Sequence, residues 1–438
     1  MAVSVRAGVA IGAWLVTRDP SVFYQPDTPT YLAPARELLA HCTFTVGGQP
    51  ELARTPGYPL LLVPGVWLGH PVAVSIALQI VLSALTVAGV FVLAHELFAD
   101  RRVARIAAVL YAVEPLSVVY SAVLLAETLF TAVVVWSLVL ISGYVRGGRA
   151  IELVGGTALL AASAYVRPAG YFLPLCLVVL LVGEAARSRR WGRVGPLVLA
   201  GAAAVVVVAP WQLRNRALGF RGMSTISGVN MYFYNAAALR AAHTGMSFAA
   251  AQAAMGYLND SVYFELHPEQ RTWRPGERFQ FMADAGRREV RADLARYARI
   301  HVAGMVRVLV DPGGLEMLKL FNLYPSSGGL LDRILTDGVG KALLYLLRTN
   351  PVAMGVLVLL GALLVAAYGF ALLGLMTEQR LRDPAVVLLV ASTAYFVIIA
   401  GGPVGGSRFR HPVMPVVCVL AAAGLRRTAD RLSPAPTQ

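Results

Sequence analysis

Residues 71–97, PVAVSIALQIVLSALTVAGVFVLAHEL, carry no charged side chain until Glu96. A helix crosses a hydrocarbon core of roughly 30 Å with about 20 apolar residues at 1.5 Å each, so this stretch alone is long enough to span. It lacks the every-second-residue alternation of a membrane β-strand, which argues against a barrel. Similar runs recur at approximately 106–121, 125–145, 151–167, 170–186, 194–211, 352–376, 384–401 and 411–425. With a shorter run from Ala7 to Val16 they make about ten spans, and the chain reads as an all-α, polytopic integral membrane protein.

Composition agrees. Of 438 residues 57% are hydrophobic and 14% charged, with a mean hydropathy of +0.64, where soluble domains carry roughly a quarter charged residues. The first run is short, ten uncharged residues or roughly 15 Å of helix, so either its flanks extend it or the given start is late. It reads as an N-terminal anchor rather than a cleaved signal, because no small-residue processing site follows it.

The net charge of +14 resides largely in short loops: Arg101, Arg102 and Arg105; Arg146 and Arg149; Arg187, Arg189, Arg190 and Arg193; Arg380 and Arg382; Arg426 and Arg427. These loops follow every second span, and short arginine-rich loops stay cytoplasmic, so the basicity is a topology signal rather than a nucleic-acid footprint. The same count puts both termini inside. Cys42, Cys176 and Cys418 lie far apart and the seven histidines are scattered, so neither a disulfide framework nor a metal motif is legible.

The chain divides into a membrane core over 1–211 with its first outer loop, an outer and interfacial segment over 212–349, and C-terminal spans with a cytoplasmic tail over 350–438. The first loop, Arg18 to Tyr58, holds an amphipathic helix around Thr30–Leu39. The long segment holds a polar helical stretch from Glu277 to Arg299 and short apolar pieces near 303–323 and 339–347, a cap on the membrane core.

Topology leaves a set of outer charges unexplained: Asp27, Arg54, Glu127, Arg167, Arg214, Arg216, Arg408 and Arg410. Arginines gathered on that side suggest a bound anion, and the guanidinium fork suits phosphate. Asp27 is restricted by Pro26 and Pro29. It fits a base that takes a proton from an incoming hydroxyl while arginines stabilise a departing phosphate. On the loop alone, simple capping of the following helix is the stronger account of Asp27. Glu127 at the start of a span has a capping account of its own, beside one in which it binds a sugar hydroxyl or a divalent metal.

Three stretches, Pro26-Asp27-Thr28-Pro29-Thr30-Tyr31, Arg54-Thr55-Pro56-Gly57-Tyr58-Pro59 and Ala126-Glu127-Thr128-Leu129-Phe130, resemble in order the bacterial C-type glycosyltransferases related to protein O-mannosyltransferases and the lipid A aminoarabinose transferase. Two later pieces extend the likeness. They are Pro210-Trp211-Gln212-Leu213-Arg214-Asn215 leading to Gly228-Val229-Asn230-Met231-Tyr232 and Asn235, and Ser407-Arg408-Phe409-Arg410-His411-Pro412 with Pro415.

The resemblance implies transfer of a monosaccharide from a polyprenyl-phosphate carrier to a protein, lipid or glycan acceptor at the extracytoplasmic face of the cell membrane, usually with inversion. It makes Asp27 the general base and Arg408 and Arg410, with Arg54, Arg167 and Arg214, the carrier-phosphate ligands. Tyr31, Tyr58, Asn230, Tyr232 and Asn235 become substrate-binding candidates. The chain departs from many relatives in carrying Thr28 where a second acid follows the first, so any shared carboxylate role falls to Glu127. Its short first span is a second departure.

Other conspicuous residues have plainer readings. Glu114-Pro115 suits a proline-kinked turn as well as a functional acid. Tyr232 and Tyr234 suit interfacial anchors, and the arginines from Arg287 to Arg299 alternate with acids as on a solvated helix face. The glycines at 401–406 lack the strand and lysine of a phosphate loop. A transporter or flippase for a lipid-linked glycan is the alternative function. It would show inverted repeats and broken helices in paired halves, which the sequence does not display.

Overall fold

The computed structural model describes residues 1–190, 192, 194–324, 338–376 and 382–432. Arg193, Arg380 and the tail beyond 432 lie outside them. The first half runs α1 (Ala2–Thr17), α2 (Thr28–His41), α3 (Gly57–Trp67), α4 (Pro71–Phe98), α5 (Arg101–Ala112), α6 (Pro115–Ala122), α7 (Glu127–Val145), α8 (Ala150–Ala162), α9 (Leu173–Arg187) and α10 (Val194–Ala217). Shorter helices follow: α11 (Ile226–Val229), α12 (Ala237–Thr244), α13 (Phe248–Ala254), α14 (Asp260–Leu266), α15 (Pro275–Ala292), α16 (Leu294–Val310), α17 (Gly314–Leu320) and α18 (Val339–Thr349). The chain closes with α19 (Pro351–Leu375), α20 (Pro384–Ile399) and α21 (Met414–Leu432). One two-stranded hairpin, β1 (Thr45–Val46) and β2 (Gln49–Pro50), interrupts the helices.

This is a multi-pass, all-α membrane protein. Among the described residues, six helices are long and apolar enough to cross a membrane, seven if α5 and α6 form one bent span. The expected figure of about ten is not reached on that measure, because α1, α8 and α20 are shorter apolar helices at three of the expected positions. α3 was not expected, since two prolines and only eleven residues hide it in the sequence.

α4 shows how these helices pack. Ser75, Gln79, Ser83, Thr86, Gly89, Val90 and Leu93 are buried along one stripe, while Val81 and Leu85 face outward. Small and polar residues inside and aliphatic ones outside is the membrane pattern, because lipid gives apolar groups no reason to turn inward. A Cβ on Gly89 would lie 2.8 Å from Val135, so this glycine lets α4 approach α7 closely.

The expected span at 106–121 is broken. α5 and α6 meet at 51°, where Pro115 removes an amide and Glu114 caps α6 by accepting from the Ser117 amide at 2.6 Å. Arg6 of α1, fully buried, repairs the break. It donates to the Ala112 carbonyl at 2.8 Å, Tyr111 at 3.4 Å, Ser83 Oγ at 2.5 Å and Ser117 Oγ at 3.0 Å. The helix expected over Glu277–Arg299 is likewise two, because Asp293 leaves the helical conformation (φ −141°, ψ 68°) and caps α16 through the Arg296 amide at 3.0 Å.

The two ends of the bundle differ. At one, Arg146 binds Asp383 at 2.5 Å and the Leu97 carbonyl at 3.0 Å, and Arg426 lies 3.8 Å from Asp100, so the short basic loops meet. At the other stands Glu127, the first residue of α7, about 28 Å away along a 19-residue helix.

Candidate active site

Asp27 occupies the residue before α2, yet its carboxylate makes no capping bond to that helix. Oδ1 accepts instead from Arg54 Nη2 at 2.6 Å, and Oδ2 from Arg408 Nη1 at 2.7 Å. The loop is pinned beside it. Thr28 Oγ1 donates to the Leu124 carbonyl at 2.8 Å and the Leu124 amide donates to the Phe23 carbonyl at 2.9 Å, which ties Asp27 to the segment entering α7.

Arg54 is aimed by the hairpin. Gly47 and Gly48, with φ of +57° and +75°, form the tight turn that two left-handed residues make possible. The chain then returns through Glu51, whose carboxylate accepts the Ala53 and Arg54 amides at 2.5 and 2.8 Å. The guanidinium donates to Thr30 Oγ1 at 2.8 Å and the Tyr31 hydroxyl at 3.3 Å, and lies 4.5 Å above the Tyr31 ring. Tyr58 supports Tyr31 edge-on at 4.9 Å and is held by Gln79 Oε1 at 2.7 Å.

Glu127 extends the chain of charges. Its Oε1 accepts from both Arg408 and Arg167. Arg167, kept extended (φ −143°) by the following Pro168, sits 5.8 Å from the rings of both Phe130 and Phe409. The order is therefore Arg54, Asp27, Arg408, Glu127, Arg167, and three guanidinium groups face two carboxylates. Glu127 is fully buried, whereas the Asp27 and Arg408 side chains keep 28% and 29% exposure, so that pair is the most open part of the charge chain.

Burial alone would raise the Asp27 carboxyl, but the Arg408 and Arg54 guanidiniums outweigh it and hold it at about 2. Burial pushes the Tyr31 hydroxyl upward, which leaves it a neutral donor.

Five residues expected at the site lie elsewhere, and one of them for a helical reason. Residues 407–413 form a 3₁₀ helix, in which positions three apart share a face. Arg408 and His411 therefore both face α7, His411 Nδ1 meeting Thr131 Oγ1 at 2.7 Å. Arg410 points away, donating to the carbonyls of Val308 at 2.7 Å, Leu309 at 3.2 Å and Asp311 at 2.6 Å.

Arg214 likewise serves backbone, the Glu51 carbonyl at 3.0 Å, and stacks 4.4 Å from the Trp211 ring. Asn230, Tyr232 and Asn235 lie on a π-helical turn, Asn230–Ala236, where Tyr232 is buried against His267 at 3.0 Å. Asn235 accepts from the Tyr297 hydroxyl at 3.2 Å, so Asn235 and Tyr232 bind the cap helices to one another.

Gln79 and Thr131 support the site without having been singled out, and so does His411, which the sequence offered only as part of the Ser407–Pro412 motif. Gln79, donating to the Val123 carbonyl at 2.8 Å, was detectable as an amide inside an otherwise apolar span. Among the described residues no group of three or more His, Cys, Asp or Glu side chains could hold a metal ion, and the two acids here face arginines.

Residues 54–213 match the family model of dolichyl-phosphate-mannose-protein mannosyltransferases. The fold is similar to the archaeal oligosaccharyltransferase AglB of Archaeoglobus fulgidus, solved with an inhibitory peptide and a dolichol-phosphate. The TM-score is 0.50 at 14% identity, over 100% of this chain and 52% of that one. The apo oligosaccharyltransferase of the same organism gives 0.49 at 17%, over 98% and 51% of the two chains. ArnT of Cupriavidus metallidurans bound to undecaprenyl phosphate gives 0.40 at 18%, over 98% and 78%. The chain thus spans about half the length of the oligosaccharyltransferases it matches. No curated protein sequence matches it. The family model and the fold together support the resemblance to the C-type glycosyltransferase superfamily.

Proposed function

We propose that this protein is a membrane glycosyltransferase that moves a monosaccharide from a polyprenyl-phosphate carrier to an acceptor hydroxyl or amine. The observation that carries the reading is the five-membered charge chain, with one guanidinium in excess of the carboxylates. Supporting it are the match to a dolichyl-phosphate-mannose-dependent family and the dolichol-phosphate in the AglB complex.

The charges balance through such a reaction. A sugar phosphodiester carries one negative charge and neutralises the excess guanidinium. When the acceptor oxygen attacks the anomeric carbon, the carbon–oxygen bond to phosphate breaks and its electron pair stays on the phosphate. The acceptor proton goes to Asp27. The carrier phosphate gains one negative charge as Asp27 loses one, so the site holds no new net charge in a low-dielectric setting.

Asp27 at about 2 is ionised but a poor base. A phosphate that draws Arg408 away removes half of its hydrogen bonding and restores basicity at the moment it is needed. Arg54, Arg167 and Arg408 hold the phosphate, each contact contributing about 1.5–3 kcal/mol. Arg410, Arg214 and the trio Asn230, Tyr232 and Asn235 act from further away.

The basic loops at the far end of α7 suit the cytoplasm by the positive-inside rule, which supports a site on the outer face of the cell membrane. The donor there is lipid-linked. The test is turnover of a fluorescent polyprenyl-phosphate sugar by purified protein. Asp27→Asn, which keeps the shape and one acceptor, is expected to lose 10²–10⁴-fold in kcat. Full activity in that variant removes Asp27 as the base.

A further inference from the structure

Arg408 reaches both acids from a loop whose own placement needs a cause. The loop is fastened along one face of α16. Gly304 lies so close to Gly402 that a Cβ there would come within 2.0 Å of the Gly402 carbonyl oxygen. Arg307 Nη2 donates to the carbonyls of Gly402 and Pro403 at 3.0 and 2.9 Å. One turn later Asp311 Oδ2 accepts the Ser407 amide at 2.8 Å, at the start of the 3₁₀ helix, while Oδ1 accepts the Gly313 amide at 2.9 Å. Arg410 returns the contact. Almost wholly buried, it donates to the last carbonyls of α16, which a helix end leaves without partners and at the negative pole of its dipole.

We propose that Asp311 and Arg410 are positioning residues that clamp the end of α16 to the 3₁₀ helix and so fix the direction in which Arg408 meets Asp27 and Glu127. The clamp works in both directions, an acid on α16's exit holding the loop's amide and a guanidinium on the loop holding α16's carbonyls. Because 408 and 410 lie on different faces of a three-residue turn, anchoring Arg410 on the cap side sets Arg408 toward α7. The inference rests on the phosphate role assigned to Arg408 above.

The test is a double-mutant cycle on undecaprenyl phosphate binding to the purified full chain in nanodiscs. Arg408→Ala and Asp311→Ala are measured singly and together. Asp311→Ala is expected to weaken binding about tenfold alone and to add nothing in the Arg408→Ala background, since its effect passes through that side chain. A merely structural role would add in both backgrounds, and that result overturns the clamp. Asp311→Asn, which keeps the size and one acceptor, is expected to lose about threefold. It carries the cycle if the alanine variant does not fold, and wild-type binding by it in that case also overturns the clamp. If Arg408→Ala itself binds undecaprenyl phosphate as wild type does, the phosphate reading fails instead.

Discussion

At Asp27 the decisive quantity is the competition between burial and two guanidiniums. The folded carboxyl sits at about 2 against an ordinary value of 3.8. A depressed acid stabilises the fold above its unfolded value, and that stabilisation, about 2 kcal/mol, is lost as pH falls from roughly 4 through 2. With Asp27 as the proposed base, the acid limb of kcat/KM is expected at about pH 2, and that of kcat at higher pH if phosphate takes Arg408 as proposed. Coincident limbs in the two profiles would contradict that exchange.

Glu127 gives a second residue-level expectation: replacing it by Ala strands Arg167 without its counter-charge, leaves Arg408 with Asp27 alone and costs about 3 kcal/mol, read as a lowered unfolding temperature in detergent. The sequence exposed Asp27, Arg54, Glu127, Arg167 and Arg408 because the orientation rule left them without a topological reason. It could not separate Arg408 from Arg410, since the three-residue period that turns them apart is a property of the folded turn.

At the scale of elements, the broken pair α5 and α6 shows what a membrane core demands. Pro115 and the bend strip carbonyls of partners where water is scarce, and Arg6 supplies donors from a different helix. Arg6→Met keeps the length and removes the donors, so it should destabilise by about 1–3 kcal/mol for each carbonyl or hydroxyl left without a partner. Thermal unfolding in detergent measures it, and an unchanged midpoint would mean that the break is satisfied in another way. Glu114-Pro115 made the break legible, but Arg6 was not, because it stands in the first short run and its partners are about a hundred residues away. Helix starts were read within a few residues where proline or a capping acid marks them, as at Pro71 and Pro351. The helices of the cap were read less well, because Asp293 looks in sequence like one more charge on a solvated face.

At the scale of the whole molecule, the bundle separates two kinds of charge by the length of α7. Arg146, Asp383, Asp100 and Arg426 gather at one end, and Asp27, Arg54, Arg408, Glu127 and Arg167 at the other. A helix of 19 residues, about 28 Å, nearly matches the hydrocarbon thickness, so the two clusters belong to opposite faces. Cys42 ends α2 on the side of the site and is exposed. In a Cys176→Ala, Cys418→Ala background it should react with a membrane-impermeant maleimide in intact cells, whereas Arg149→Cys, with Cys42 also replaced, should react only after permeabilisation. The reverse order would turn the molecule over and leave a lipid-linked donor in the outer leaflet without access to Asp27. Equal labelling of both positions in intact cells would mean that the charge clusters do not lie across the bilayer, and the separation along α7 would lose its meaning.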